Sequence, residues 1–134
     1  MSLRFINPPS LGLPQGYNNG VRVTSGDLLF IAGQIGWDER QEIVGADFVE
    51  QFDRALANLL TVVEAAGGRA EQIARLVIYV TDKKEYAARR RELGARWRVR
   101  FGKHFPAITL VEVKSLLDDR ALVEIEGIAV LSTG

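Results

Sequence analysis

The stretch that most constrains the fold lies near the carboxyl end of the chain, at residues 105–130. It holds two runs rich in apolar and β-branched residues, at 107–113 and 122–130, joined by a polar connection at 114–120. Two such runs around a polar connection predict two adjacent, antiparallel strands. Because side chains alternate along a strand, each run presents two different faces.

One face of this predicted pair is small and apolar, whereas the other mixes large apolar residues with carboxylates. The mixed face carries Ile108, Leu110 and Glu112 on the first strand, and Leu122, Glu124, Glu126, Ile128 and Val130 on the second. The small face suits a protein core. The mixed face suits neither plain solvent nor plain core, so we expect it to contact another chain, a ligand or both.

The remaining pattern predicts the element order ββ-α-β-α-ββ. A turn signal at residues 25–27 predicts a hairpin of strands 17–24 and 28–34, the second of them covered on both faces. Apolar stripes with a period of 3.6 residues predict helices over 47–66 and about 83–101, and 73–80 is a buried strand by its composition. Two helices on one face of a mixed sheet make an α+β sandwich, and 134 residues fit a single domain, 1–134.

Composition argues against several classes of function. Seventeen basic and seventeen acidic residues cancel, so no net field attracts nucleic acid or an anionic membrane. The chain has no cysteine and a single histidine, His104, which argues against disulfides, thiolate chemistry and a metal site. No apolar run approaches the ~20 residues of a membrane span, and the first residues lack the build of a signal peptide, so we expect a cytoplasmic protein.

The predicted second helix and its flank, residues 83–103, form the one strongly charged segment. Nine basic residues against two acidic ones give a local charge of +7, a pattern that could follow RNA phosphates. The segment lacks interleaved surface aromatics for base stacking, so we favour a solvated helix face with some ion pairs between subunits. Trp97 is predicted to pack, and His104 to be a surface or capping residue.

Several segments together resemble the reactive-intermediate deaminase (Rid) family, whose members are also known as YjgF-like proteins and L-PSP endoribonucleases. The resemblance is carried by residues 26–35, 65–67, 79–82, 105–107 and 123–129, and it spans 4–131. It implies a chorismate-mutase-like fold, a homotrimer, and three ligand clefts between neighbouring subunits. Active members hydrolyse enamine or imine intermediates and release ammonia, so the resemblance implies neither cofactor nor metal.

Residue by residue, the match to the family's cleft is partial. Tyr17 stands where the family has a cleft tyrosine, and Gly33 matches a cleft glycine that offers backbone groups. Glu124 matches the glutamate that positions the attacking water. Ile108 replaces the family's substrate-binding arginine, and Leu110 replaces a nearby cysteine. Because isoleucine cannot pair with a carboxylate, we expect weak or absent 2-imino acid deaminase activity.

The sequence therefore predicts a trimeric Rid-like protein that binds or acts on a small metabolite, with Glu124 handling water in a cofactor-free hydrolysis. Arg90 falls near a cleft position of the family and is a candidate replacement for the lost cation. With Ile108 and Leu110 predicted on the face of Glu124, we expect a ligand with an apolar body and one polar end. Two alternatives stay open, namely a non-catalytic ligand-binding trimer and an RNA-cleaving protein. Glu112 and Glu126 are interpreted as structural.

Overall fold

The computed structural model describes residues 3–132, which form two β-sheets and three α-helices. The strands are β1 (Leu3–Ile6), β2 (Gly20–Val23), β3 (Asp27–Ile35), β4 (Ile73–Val80), β5 (Ala107–Glu112) and β6 (Val123–Leu131). The helices are α1 (Phe48–Ala65), α2 (Lys83–Ala88) and α3 (Arg90–Phe101). The α+β class and the mixed sheet predicted from the sequence are confirmed.

The main sheet has the strand order β3-β6-β4-β5. β6 is antiparallel to both of its neighbours, whereas β4 and β5 are parallel and are connected through α2 and α3. The prediction that β5 and β6 are adjacent is therefore wrong, because β4 lies between them. Parallel strands need a crossover long enough for a helix. The segment α2–α3 supplies this crossover, which allows β5 to pair with β4 and not with β6.

The predicted hairpin of residues 17–24 and 28–34 is also wrong. β2 pairs with β1 in a separate two-stranded sheet, in which Leu3 lies opposite Val23. β3 pairs instead with β6, at the edge of the main sheet. The β3–β6 register shifts between Ile31 and Gln34, which marks a β-bulge in β3.

The faces of the main sheet correct the prediction for two site residues. Ile108 lies opposite Leu76, and Leu110 lies opposite Ile78, so both belong to the face that packs against the helices. Glu124 lies opposite Tyr79 on the other face. The prediction that Ile108 and Leu110 share a face with Glu124 is wrong. β5 and β6 each pair with β4 and not with each other, so the pairing with β4 decides which side chains of each strand face the helices.

The other face of the main sheet is only partly covered within the chain. Leu28 is 56% exposed and Phe30 is 70% exposed, so β3 is covered on one face and not on both as predicted. Leu110, Leu122 and Val130, expected on the open face, are half-buried or buried within the chain.

The helices begin where their capping residues predict. The Asp47 side chain accepts a hydrogen bond from the Glu50 amide at 3.0 Å, and α1 ends just before Gly67, whose φ is 85°. The predicted second helix is divided at Arg89 into α2 and α3. Its start is confirmed, since the Asp82 carboxylate accepts from the amides of Lys84 and Glu85.

The core lies between α1, α3 and the inner face of the main sheet. His104 is only 8% exposed, and its Nε2 lies 2.7 Å from the Ile73 carbonyl oxygen. The prediction of a surface or capping histidine is therefore corrected. Within residues 3–132, no helix combines the length and the apolar character needed to cross a bilayer.

Candidate functional site

A cavity of about 340 Å³ opens on the helix side of the main sheet, between α3, β5 and the arm that precedes β2. It brings together four of the residues predicted from the sequence, Tyr17, Arg90, Ile108 and Leu110. Its other lining side chains are mostly apolar or aromatic: Phe52, Ile78, Tyr86, Leu93, Trp97 and Phe105. The cavity is therefore mostly apolar, with the phenol of Tyr17, the guanidinium of Arg90 and the amide of Gln15 among its polar groups.

Tyr17 is held at the cavity by the residue that follows it. The Asn18 amide donates to the Pro106 carbonyl oxygen at 3.0 Å, and the Asn18 side chain donates to the Phe105 carbonyl oxygen. Asn18 also forms an isolated parallel bridge with Ala107 at the start of β5. The arm therefore extends the edge of the main sheet, and Tyr17 is placed over the cavity by backbone pairing.

One wall of the cavity is a stack of aromatic rings. The Trp97 ring lies parallel to the Phe105 ring, with centroids 5.9 Å apart, and against the Phe101 ring at 4.3 Å. The indole Nε1 of Trp97 donates to the His104 carbonyl oxygen at 3.1 Å. Because the indole N–H is satisfied and the ring packs against Phe101 and Phe105, this wall is apolar.

Ion pairs to α1 neutralise part of the basic segment. The Asp53 carboxylate accepts from the Arg100 Nε at 2.7 Å and from the Arg96 Nη1 at 3.0 Å. The hydrogen bond from Arg100 is the main cause that lowers the pKa of Asp53. Arg89 pairs in the same way with Asp47, at 3.3 Å. These pairs support the interpretation of a structural helix face.

A second polar cluster lies on the opposite face of the main sheet, around Glu124. A Cβ atom placed on Gly33 would lie only 2.0 Å from the Glu124 Oε2, so the carboxylate rests directly against the Gly33 backbone. This contact is made at the bulge, where Ala32 and Gly33 have no partner in the β6 register. The cluster is therefore a carboxylate beside irregular backbone, a combination that can bind and orient a water molecule.

The neighbouring carboxylates have structural partners. The Tyr79 hydroxyl donates a short hydrogen bond to Glu126, and this bond is the main cause that raises the pKa of Tyr79. The Glu112 carboxylate accepts from the Lys83 amide at 2.9 Å, at the start of α2. Both contacts support the structural interpretation of Glu112 and Glu126.

A single chain does not bring all the predicted site residues together. Tyr17, Arg90, Ile108 and Leu110 line the cavity, whereas Glu124 and its neighbour Gly33 lie across the sheet. Sequence reasoning missed several lining residues of α2 and α3, although their spacing contained the signal. Positions 86, 90, 93, 94 and 97 lie on one helical face.

Within residues 3–132, no group of three or more His, Cys, Asp or Glu side chains is arranged to hold a metal ion. The side chains described at the two clusters can form hydrogen bonds and ion pairs and can transfer protons.

Comparison with known proteins gives consistent matches. The family described as Endoribonuclease L-PSP matches residues 11–131. A RutC family protein of Pyrococcus horikoshii is 37% identical over 108 residues, which cover 80% of this chain and 82% of that protein. The 2-iminobutanoate/2-iminopropanoate deaminase of Escherichia coli is 33% identical over 111 residues, covering 81% and 83%.

Solved structures agree with these sequence matches. The Rid-family protein YyfB of Yersinia pestis, described as a protein of unknown function, superposes with a TM-score of 0.87 at 32% identity, covering 98% of this chain and 100% of that one. The YjgF gene product of Escherichia coli gives a TM-score of 0.68 at 32% identity, covering 92% of each chain. The backbone is thus more similar to YyfB than to the YjgF product.

Proposed function

The chain belongs to the Endoribonuclease L-PSP family, also called the Rid family, and we propose that it hydrolyses a small enamine or imine without a cofactor. The observation that carries this proposal is the contact between the Glu124 carboxylate and the Gly33 backbone. A carboxylate that lies beside the irregular backbone of a bulge can orient a water molecule and accept its proton. The deaminase relatives at 33% identity support the same class of reaction.

The proposed site is shared between subunits of a homotrimer. Within one chain the sheet separates Glu124 from the cavity that contains Tyr17 and Ile108, so one subunit cannot supply both. The exposed side chains of Leu28 and Phe30 provide apolar area for association on the face of Glu124. In the proposed trimer, the Glu124 cluster of one subunit faces the cavity of its neighbour.

The proposed reaction needs only water and the side chains of the cleft. Glu124 accepts a proton from water while the oxygen attacks the carbon of the C=N bond, whose electron pair moves to nitrogen. The Glu124 proton then passes to nitrogen, which gives a carbinolamine. Glu124 next takes the proton of the new hydroxyl group and delivers it to nitrogen as the C=O bond forms and the C–N bond breaks, so the products are ammonia and a carbonyl compound. Tyr17 orients the substrate, and Ile108 with Leu110 packs against its apolar part.

The test uses two variants that are inactive for different reasons. Glu124→Gln removes the proton acceptor, with an expected loss of about 100-fold or more, and Ile108→Trp fills the cavity. Imines with bulky apolar side chains, which suit the apolar cavity better than the small 2-imino acids for which weak activity is expected, are generated with an L-amino acid oxidase from leucine or phenylalanine. Their disappearance is followed by competition with semicarbazide.

Mixing the two variants distinguishes a shared site from a site within one chain. In trimers assembled at random from equal amounts of the two chains, about one cleft in four combines an intact Glu124 with an intact cavity. Co-expressed chains with different tags should therefore recover about a quarter of the wild-type rate. No recovery in verified mixed trimers would contradict the shared cleft, and full activity of Glu124→Gln would contradict the catalytic role.

A non-catalytic ligand-binding trimer is the second candidate function. The observation that favours it is Ile108, which leaves the cavity without the arginine expected at that position. RNA cleavage is the weaker alternative, because Arg89, Arg96 and Arg100 are engaged in ion pairs within the chain.

A further inference from the structure

Gly94 is an unexplained residue in the middle of α3, at the wall of the cavity. Glycine is the poorest helix former after proline. A Cβ placed on Gly94 would meet only one side-chain atom within 4 Å, the Arg98 Nη1 at an ordinary 3.6 Å. Packing within the described chain therefore does not require glycine. Its one structural consequence is additional space in the cavity above this turn of the helix.

Two cations lie one turn before and one turn after this glycine. Arg90, Gly94 and Arg98 are spaced four residues apart, so they share one face of α3. Within residues 3–132 neither arginine has an ion-pair partner, in contrast to Arg96 and Arg100, which pair with Asp53. Gly94 is therefore flanked by two arginines that form no ion pair within the described part of the chain: Arg90 lines the cavity with it, and the Arg98 Nη1 lies 3.6 Å from the position of its added Cβ.

We propose that the anionic group of the ligand binds over Gly94, paired with Arg90 and close to Arg98, while an aromatic or branched apolar body lies against Trp97 and Phe105. This ligand class is that of the substrate only if the cleft is the site of the proposed hydrolysis, so the proposal rests on the proposed function. A carboxylate is the group expected, because a guanidinium pairs with it through two parallel hydrogen bonds.

The shape of the cavity supports a bulky ligand rather than a three-carbon acid. Its volume of about 340 Å³ lies within the usual range of small-molecule sites. Its floor, formed by Ile108 and Leu110, offers no hydrogen bond. Arg90 and Trp97 both line the cavity and lie seven residues, or about two turns, apart on α3. A ligand that contacts both therefore needs an anionic end and an apolar end.

The test measures binding without turnover, by isothermal titration calorimetry on the assembled protein. The probes are phenylacetate, its neutral isostere phenylacetamide, and acetate, which has the charge without the ring. We expect phenylacetate to bind most tightly of the three. Arg90→Gln should weaken phenylacetate by about 10- to 150-fold, the loss of one charge-assisted contact, and should leave phenylacetamide nearly unchanged. Arg90→Lys should retain part of the preference for the anion.

Arg91→Gln is the matched control, because Arg91 is an exposed arginine of α3 that does not line the cavity. Gly94→Ala should weaken phenylacetate at least about fivefold by filling the space, while raising thermal stability through better helix propensity. Dissociation of the oligomer by Gly94→Ala would show that the glycine serves subunit packing, and would overturn the proposal.

Equal binding of phenylacetate and phenylacetamide, or no binding of any probe, would also overturn the proposal. These outcomes are separate from failure of the proposed function. Loss of probe binding with intact imine hydrolysis contradicts only the anion site. Binding that follows the expected order, without hydrolysis of any imine, contradicts only the catalytic proposal.

Discussion

Replacing Gly33 with alanine displaces the Glu124 carboxylate without removing it. The added Cβ would lie 2.0 Å from the Glu124 Oε2 and 2.7 Å from its Cδ. Non-bonded heavy atoms settle at about 3.5 Å, so the carboxylate oxygen must move by roughly 1.5 Å. The Gly33 backbone itself can accept alanine, because its φ lies outside the left-handed region.

The expected result is a large loss of activity at a small cost in stability. The atoms that must move, Oε2, Cδ and Cγ, all belong to the flexible Glu124 side chain and not to the backbone. We therefore expect the free energy of unfolding to fall by less than about 1 kcal/mol. A displacement of about 1 Å at a reacting group can reduce the rate about 100-fold. The assay is the same competition for oxidase-generated imines, together with thermal denaturation and sedimentation of the variant.

Gly20→Ala is the matched control, since it is also a strand glycine and its Cβ would meet nothing closer than 3.5 Å. It should retain wild-type activity. If Gly33→Ala hydrolysed imines within about threefold of the wild-type rate, the position of the Glu124 carboxylate would not matter, and the water-positioning argument would fail.

Three further predictions concern assembly, specificity and stability. Sedimentation equilibrium should give three times the mass of the chain, and a stable monomer at micromolar concentration would contradict the shared cleft. Rates on 2-iminopropanoate should be lower by about 30- to 1,000-fold than in proteins with the arginine that Ile108 replaces, so rates typical of the family would contradict this. Asp53→Asn should lower stability by about 1–3 kcal/mol at pH 7. Because the pKa of Asp53 is lowered in the folded state, this contribution is present above about pH 4 and disappears as the pH falls through the folded-state value. Thermal denaturation of both proteins should therefore converge in acid, and a constant difference would contradict the ion-pair argument.

The local elements of this fold are predictable from the sequence because their signals are local. The cap at Asp47, the glycine stop at Gly67 and the 3.6-residue stripe between them define α1. The composition of β4 alone predicts a buried strand over the observed residues, Ile73–Val80. Each of these signals depends on residues within a few positions of each other, so no information about the partner element is needed.

Strand pairing is different, because it depends on distant segments. The polar connection between β5 and β6 suggested a hairpin, yet the parallel partner of β5 is β4, reached through two helices. Because β4 separates the two strands, β5 takes its register from β4. Ile108 lies opposite Leu76 and Leu110 lies opposite Ile78, so both side chains face the helices. An alternating pattern gives two faces for each strand, but it does not say which face of one strand matches which face of another.

The wrong assignment of strand faces also explains why only part of the site could be predicted. The resemblance identifies Tyr17, Gly33 and Glu124 position by position. It does not indicate that the main sheet separates Tyr17 from the other two. The structure joins Gly33 to Glu124 by direct contact and joins Tyr17 to the cavity through Asn18. It also removes the apolar wall from the side of Glu124. An apolar wall and a carboxylate that lie on opposite faces of one sheet can act on the same ligand only if two subunits meet, so the experiment with mixed subunits bears on the site more directly than any single substitution.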